Sequence, residues 1–256
     1  MPGTNLTRDE AATRGSLLSV ESYTIDLDLT VSDKVFESTT VIRFSCSEPG
    51  ASTFADLNGA TVHEITLNGQ ALDPFEVYRD QRIQLDGLDA DNELRVFCEL
   101  PYSHTGEGLH RFVDPADSRV YLYTQFEVPD ARRVYTTFEQ PDLKATFTFN
   151  VTAAEHWTVI SNSPTPEPEL LGDGKAAWHF APTERMTPVL RTLAEWNPIS
   201  SLVQGVRESW GNTSPVGADA ALPLQHPVLA TVLWTVGLIL LLAPLSIRAF
   251  QRRTSA

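Results

Sequence analysis

Side-chain alternation with a period of two constrains this chain most. From Val20 onward, Tyr23, Ile25, Leu27 and Leu29 fall on one face, and Ser22, Thr24, Asp26 and Asp28 on the other. Successive side chains of a strand point to opposite faces, so this is the pattern of a half-buried strand. Thr40, Ile42, Phe44 and Cys46 repeat it after a turn at Ser32–Asp33–Lys34. Further short runs follow at Thr61–Leu67, Phe75–Tyr78, Arg82–Leu85 and Leu94–Leu100, broken by Asn68–Gly69, Asp80, Asp86–Gly87 and Asp91–Asn92. Asn-Gly between apolar runs is a strong hairpin signal. Lys144–Thr152 alternates again, and Trp157–Ser161 reads as another strand. Ser163–Pro168 is turn-prone, and Ala176–Ala181 closes a hairpin over the turn Gly172–Gly174. No segment of helical period occurs before residue 185. Short strands with turn residues about every ten positions predict a mainly β fold, an antiparallel β-sandwich or saddle-like open sheets.

Charge divides the chain. Residues 1–186 hold 14 Lys/Arg against 30 Asp/Glu, and residues 187–256 hold 5 against 3, which together give the net charge of −14. An acidic body repels phosphates and argues against a nucleic-acid partner. Two cysteines, Cys46 and Cys98, make no disulfide framework. Both sit at apolar positions of strand-like runs, which predicts buried free thiols. Residues 1–18 are polar, have no apolar core of a signal peptide, and offer one possible capping box, Thr7 with Glu10. They read as a loose lead-in to a β-domain over 19–186.

Tyr121–Lys144, YLYTQFEVPDARRVYTTFEQPDLK, is the richest stretch for function. An alternating run ends in Thr124–Gln125–Phe126–Glu127, a turn follows at Val128–Pro129–Asp130, and an aromatic run ends at Gln140–Pro141–Asp142. The order is strand, turn, strand or short helix, turn. The Gln125 amide both donates and accepts, while the Glu127 carboxylate only accepts. Both stand where a strand meets a loop, a common place for binding groups. Asp130, Glu139 and Asp142 read as solvated turn acids. Arg132 and Arg133 read as loop-supporting ion-pair partners rather than a carboxylate clamp.

The same stretch resembles the N-terminal domain of zinc aminopeptidases of the aminopeptidase N (gluzincin) family. The residues that carry the likeness are Thr124, Gln125 and Glu127, then Asp130–Arg133, then Phe138–Ala145. SNSPTPEP (161–168), Trp178 and Phe180, and Pro182–Met186 extend it, so it covers about residues 8–186. The resemblance implies that Glu127 binds the free α-amino group of a peptide and that Gln125 lines the pocket for its first side chain. It implies a peptide N-terminus as substrate, zinc as the family's metal, and a cytoplasmic setting for the β-domain.

After Met186 the pattern changes. Leu190, Leu193, Ile199, Leu202, Val203 and Val206 suggest an interrupted amphipathic helix, with loop to residue 227. Val228–Ile247 is a run without charge, followed by Arg248, Arg252 and Arg253 in a basic tail over 248–256. About 20 helical residues span about 30 Å, the thickness of the bilayer hydrocarbon, so a single transmembrane helix is expected here, with the lipid bilayer as partner. The basic flank favours a cytoplasmic C-terminus, which conflicts with a cytoplasmic β-domain. Residues 187–256 resemble the C-terminal end of multidrug-export permeases of ABC transporters.

Hydrolysis by this family needs H-E-x-x-H, whose two histidines share one helix face and bind zinc while the glutamate acts as base. His63, His104, His110, His156, His179 and His226 supply no such pair, and G-A-M-E-N, which contacts the substrate backbone, is absent too. No nucleophile elbow or P-loop occurs. The expectation is therefore no catalytic residue, metal ligand or cofactor in this chain, and a partner catalytic domain for any peptidase activity. The alternatives are a membrane-anchored non-enzymatic β-domain and a permease fragment fused to one.

Overall fold

The computed structural model describes residues 5–127, 129–186, 226, 228–233 and 235. The first residues of this set form a helix, α1 (Arg8–Leu17), where the sequence suggested a loose lead-in. The capping box is made in full. Thr7 Oγ1 accepts from the Glu10 amide at 3.2 Å, and Glu10 Oε2 accepts from the Thr7 amide at 2.8 Å. α1 lacks a clean apolar stripe because what it buries is Arg14, along with Leu17. A periodicity search for apolar residues overlooks a helix that docks through a guanidinium.

The frame is an eight-stranded sheet built from β1 (Leu18–Asp28), β2 (Val35–Cys46), β4 (Thr61–Leu67), β5 (Gln70–Leu72), β8 (Asp91–Pro101), β11 (Thr146–Ala154), β12 (Glu169–Gly172) and β13 (Lys175–His179). Its order is β12-β13-β11-β1-β2-β8-β4-β5. All neighbours are antiparallel except β1 and β11, which run parallel from Ser22↔Thr146 to Asp28↔Thr152. β3 (Thr53–Asp56), β6 (Tyr78–Arg79) and β7 (Arg82–Leu85) form a small second sheet, and β9 (Gly108–Val113) pairs with β10 (Val120–Gln125) in a third.

The expected faces are the observed ones: Tyr23, Ile25 and Leu27 of β1 are buried, as are Ile42, Phe44 and Cys46 of β2. A register shift between Val20 and Ser22 lets Val20 and Tyr23, three residues apart, both face inward. Ala55, Ile83 and Leu85 of the small sheet join the same core, so the large sheet packs one face against the small one. Tyr23 stacks on Phe147 at 4.7 Å across the parallel pair. A second cluster, Val151, Ala153, Ala176, Trp178 and Phe180, closes the far end. Cys46 and Cys98 are free and buried, and burial pushes the Cys98 thiol up to about 12. At the predicted hairpin, Asn68 and Gly69 have φ of 52° and 77°, the pair of positive values that a type I′ turn requires.

Two expected strands are corrected. Phe75–Tyr78 is mostly a short helix, α2 (Pro74–Val77), because Asp73 caps it through the Phe75 amide and Pro74 presets its first turn. Residues 157–161 form no strand: they run as a loop after β11. Residues 228–233 and 235 are helical, and the Ala230 amide donates to His226 O at 2.9 Å. The expected span Val228–Ile247 lies largely outside the described residues, as do the expected helix and loop over 187–227, apart from His226, and the basic tail. Among the described residues no helix is long and apolar enough to cross a membrane.

Candidate functional site

β10 delivers the two predicted recognition residues. Its register against β9 runs from Val120↔Val113 to Gln125↔Gly108, so Gln125 is the last paired residue and Glu127 lies in the turn beyond. Both are exposed. The Gln125 side-chain oxygen accepts from the Glu127 amide, which folds the strand end over into the turn. Among the described residues, the Glu127 carboxylate has no partner. Gly108, opposite Gln125, has φ +65°, and an added Cβ would stand 3.0 Å from the Arg133 Cβ. Glycine is needed there because the Arg133 stem crosses the end of the hairpin.

The turn is tied down from its far side. The Asp130 amide donates to Phe126 O at 3.2 Å, and the Asp130 carboxylate pairs with Arg133 Nε at 2.6 Å. A 3-10 turn follows at Ala131–Arg133. Arg132 Nε donates to Pro129 O at 3.0 Å, and Arg132 O accepts from the Asn58 amide at 2.7 Å. Arg133 therefore supports the loop through the ion pair that the sequence suggested, and Arg132 supports it through a backbone carbonyl.

Glu139 corrects the sequence reading. It is buried, not a solvated turn acid. Its Oε2 accepts from the Arg132 amide at 2.8 Å, and its own amide donates to Asp56 Oδ2 at 3.1 Å. Burial pushes the Glu139 carboxyl up to about 7 against the pull of the Arg132 amide, and the Asp56 charge adds to the rise. Asp56 in turn pairs with Arg14 of α1 at 2.9 Å, both nearly fully buried. Arg14 Nε donates to Gln140 Oε1 at 2.9 Å, and its guanidinium lies over the Phe54 ring at 4.7 Å. Sequence reasoning missed this network because its members are far apart in the chain; the only local sign was an acid set between Phe138 and Gln140 in an aromatic run.

A cavity of about 1050 Å³ opens beside the end of β10. Tyr121, Tyr123, Thr124 and Phe126 are among its lining residues, together with Trp157 and Ile160. Thr124 and Phe126 flank Gln125, yet Gln125 and Glu127 themselves lie outside the lining. Among the described residues, no three His, Cys, Asp or Glu side chains converge as a zinc site requires. His110 Nδ1 takes the Gly106 amide at 3.1 Å and His104 Nδ1 bonds Arg111 O at 2.9 Å, so these neighbours are engaged with loop backbone.

The family model of the peptidase M1 N-terminal domain matches residues 19–190. The chain belongs to the peptidase M1 N-terminal domain family. Its likeness to the aminopeptidase N of Streptomyces lividans is 55% identity over 220 residues, 85% of this chain and 25% of that protein. The aminopeptidase N of Acetobacter pasteurianus is 38% identical over 77 residues, 30% of this chain and 22% of that one. The probable aminopeptidase 1 of Saccharolobus solfataricus is 37% identical over 157 residues, 54% of this chain and 20% of that one. The M1 N-terminal domain chain thus spans between a fifth and a quarter of the length of these curated relatives. The permease resemblance of residues 187–256 finds no support in these comparisons. A match covering 85% of the chain also cannot end at Met186, so the M1 likeness runs past the boundary drawn from sequence.

Proposed function

We propose that this M1 N-terminal domain is the substrate-recognition part of a zinc aminopeptidase, with Glu127 anchoring the peptide α-ammonium and Gln125 lining the pocket for the first side chain. The observation that carries the reading is the Glu127 carboxylate, exposed and without a partner among the described residues, on a turn whose backbone is fastened from behind. A fixed, unspent carboxylate suits an ammonium ligand, since its bonds to the cation are charge-assisted. The family's metal chemistry requires H-E-x-x-H, which these residues do not supply, so this chain by itself hydrolyses no peptide. Zinc and the reacting water belong to a catalytic module that meets the anchor.

The test is reconstitution with such a module and comparison of Glu127→Gln with the unaltered chain. Losing a charge-assisted contact of about 1.5–3 kcal/mol raises KM roughly 10- to 150-fold. Unchanged KM and kcat would reject the role.

The uncharged run Val228–Ile247 favours a second reading, in which the β-domain is held at a bilayer by its tail. We place the β-domain on the cytoplasmic side, with the Arg248, Arg252 and Arg253 flank opposing clean insertion. Protease added to intact spheroplasts should then spare the β-domain. Uniform digestion from outside refutes the placement, and recovery of the whole chain in the soluble fraction refutes the anchor.

A further inference from the structure

Glu139 is a buried titratable group that peptide recognition leaves unused, and it stands directly behind the turn that presents Glu127. The charged and titratable groups around it come from every element packed there. Asp56 faces it from β3, with Arg14 of α1 paired to Asp56. Arg132 and Asp130 face it from the turn. Tyr23 of β1 and Tyr135 lie on the core side, where burial pushes the Tyr23 hydroxyl up to about 12 and that of Tyr135 well above its usual value.

The contacts form one path to the anchor. Glu139 Oε2 holds the Arg132 amide at 2.8 Å. Arg132 Nε holds Pro129 O at 3.0 Å. The next residue, Asp130, donates its amide to Phe126 O at 3.2 Å. Phe126 is the residue between Gln125 and Glu127. An ionised carboxylate accepts a hydrogen bond about twice as strongly as a neutral one. The same oxygen therefore grips the Arg132 amide in one protonation state and holds it loosely in the other. The turn is tightly packed from beneath, where Ala131, Arg132, Val134 and Tyr135 are all buried.

We propose that Glu139 is a positioning residue for the amine anchor, ionised Glu139 fixing the Pro129–Arg133 turn behind Gln125 and Glu127, and protonated Glu139 slackening it. The proposal rests on reading Gln125 and Glu127 as the anchor and adds to that reading a dependence on pH. Burial places the Glu139 carboxyl at about 7, so the switch falls near neutrality, with the grip strengthening as pH rises. Glutamine at this position keeps an acceptor for the Arg132 amide but does not titrate.

The experiment is NMR on the intact chain in detergent micelles, with ¹⁵N in arginine and phenylalanine only, titrated from pH 5.5 to 8.5 without substrate. The expected result is that the Arg132 and Phe126 amide resonances shift together with one midpoint near 7, and that both shifts vanish in Glu139→Gln. A moving Arg132 beside a stationary Phe126 would show that Glu139 titrates without reaching the anchor, and overturns the proposal. So does the absence of either shift. A Phe126 shift that persists in Glu139→Gln assigns the titration to another group and overturns it too. Should that variant not fold, ¹³C labelling of the glutamate carboxyls in the unaltered chain decides: the Glu139 midpoint must coincide with that of Phe126. None of these readouts involves a peptide, so they fail or succeed separately from the KM test of Glu127.

Discussion

At Glu139, burial and charge pull against each other. The Arg132 amide favours the carboxylate, but the desolvation of a nearly enclosed acid beside Asp56 outweighs one backbone hydrogen bond. The folded group titrates at about 7, above its ordinary 4.5. The folded state therefore binds this proton more tightly than the unfolded chain. Its stabilising effect is complete below about 4.5 and lost as pH rises through 7. Between pH 5 and pH 8 this group alone lowers stability by roughly 2–3 kcal/mol. Urea unfolding of the intact chain and of Glu139→Gln should diverge across that interval, with the flatter profile in the glutamine variant. Parallel profiles would mean that the carboxyl stays charged or finds water. Glu10 has the opposite sign: hydrogen bonding to Arg82 holds it down at about 2, so its contribution is present above 4.5 and lost in acid.

Among the elements, α1 shows most clearly how a cap and a tertiary tie differ. The Thr7–Glu10 box only satisfies exposed amides at the helix start. Arg14 reaches Asp56 of β3, Phe54 O and Gln140 in one buried cluster. Thr7→Ala should cost about 1 kcal/mol. Arg14→Met should cost about 3–5 kcal/mol, because it strands the Asp56 carboxylate away from water. Chemical denaturation of the two variants checks the ranking, and equal losses would show that α1 is held by its cap. The hairpin of β9 and β10 is fixed differently, by Gly108 yielding space to Arg133. That fit sets where β10 ends, and so where Gln125 stands.

For the whole molecule, the missing H-E-x-x-H pair leads to one expectation. The purified chain should carry no stoichiometric zinc and should cleave no aminoacyl reporter. One tightly held zinc per chain, or hydrolysis abolished by a chelator, would overturn it. The sequence determined the strands because alternation is local: each two-residue step commits a side chain to one face. Tyr23, Ile25, Leu27, Ile42 and Phe44 were legible for that reason, as were the turn at Asn68–Gly69 and the place of Gln125 and Glu127 at a strand end. Only the tertiary structure decided that β1 and β11 pair in parallel, since residues more than a hundred positions apart leave no local trace of their partner. It also decided that α1 is ordered and Glu139 buried, because Arg14, Asp56 and Glu139 are polar by sequence. Their place inside follows only from one another.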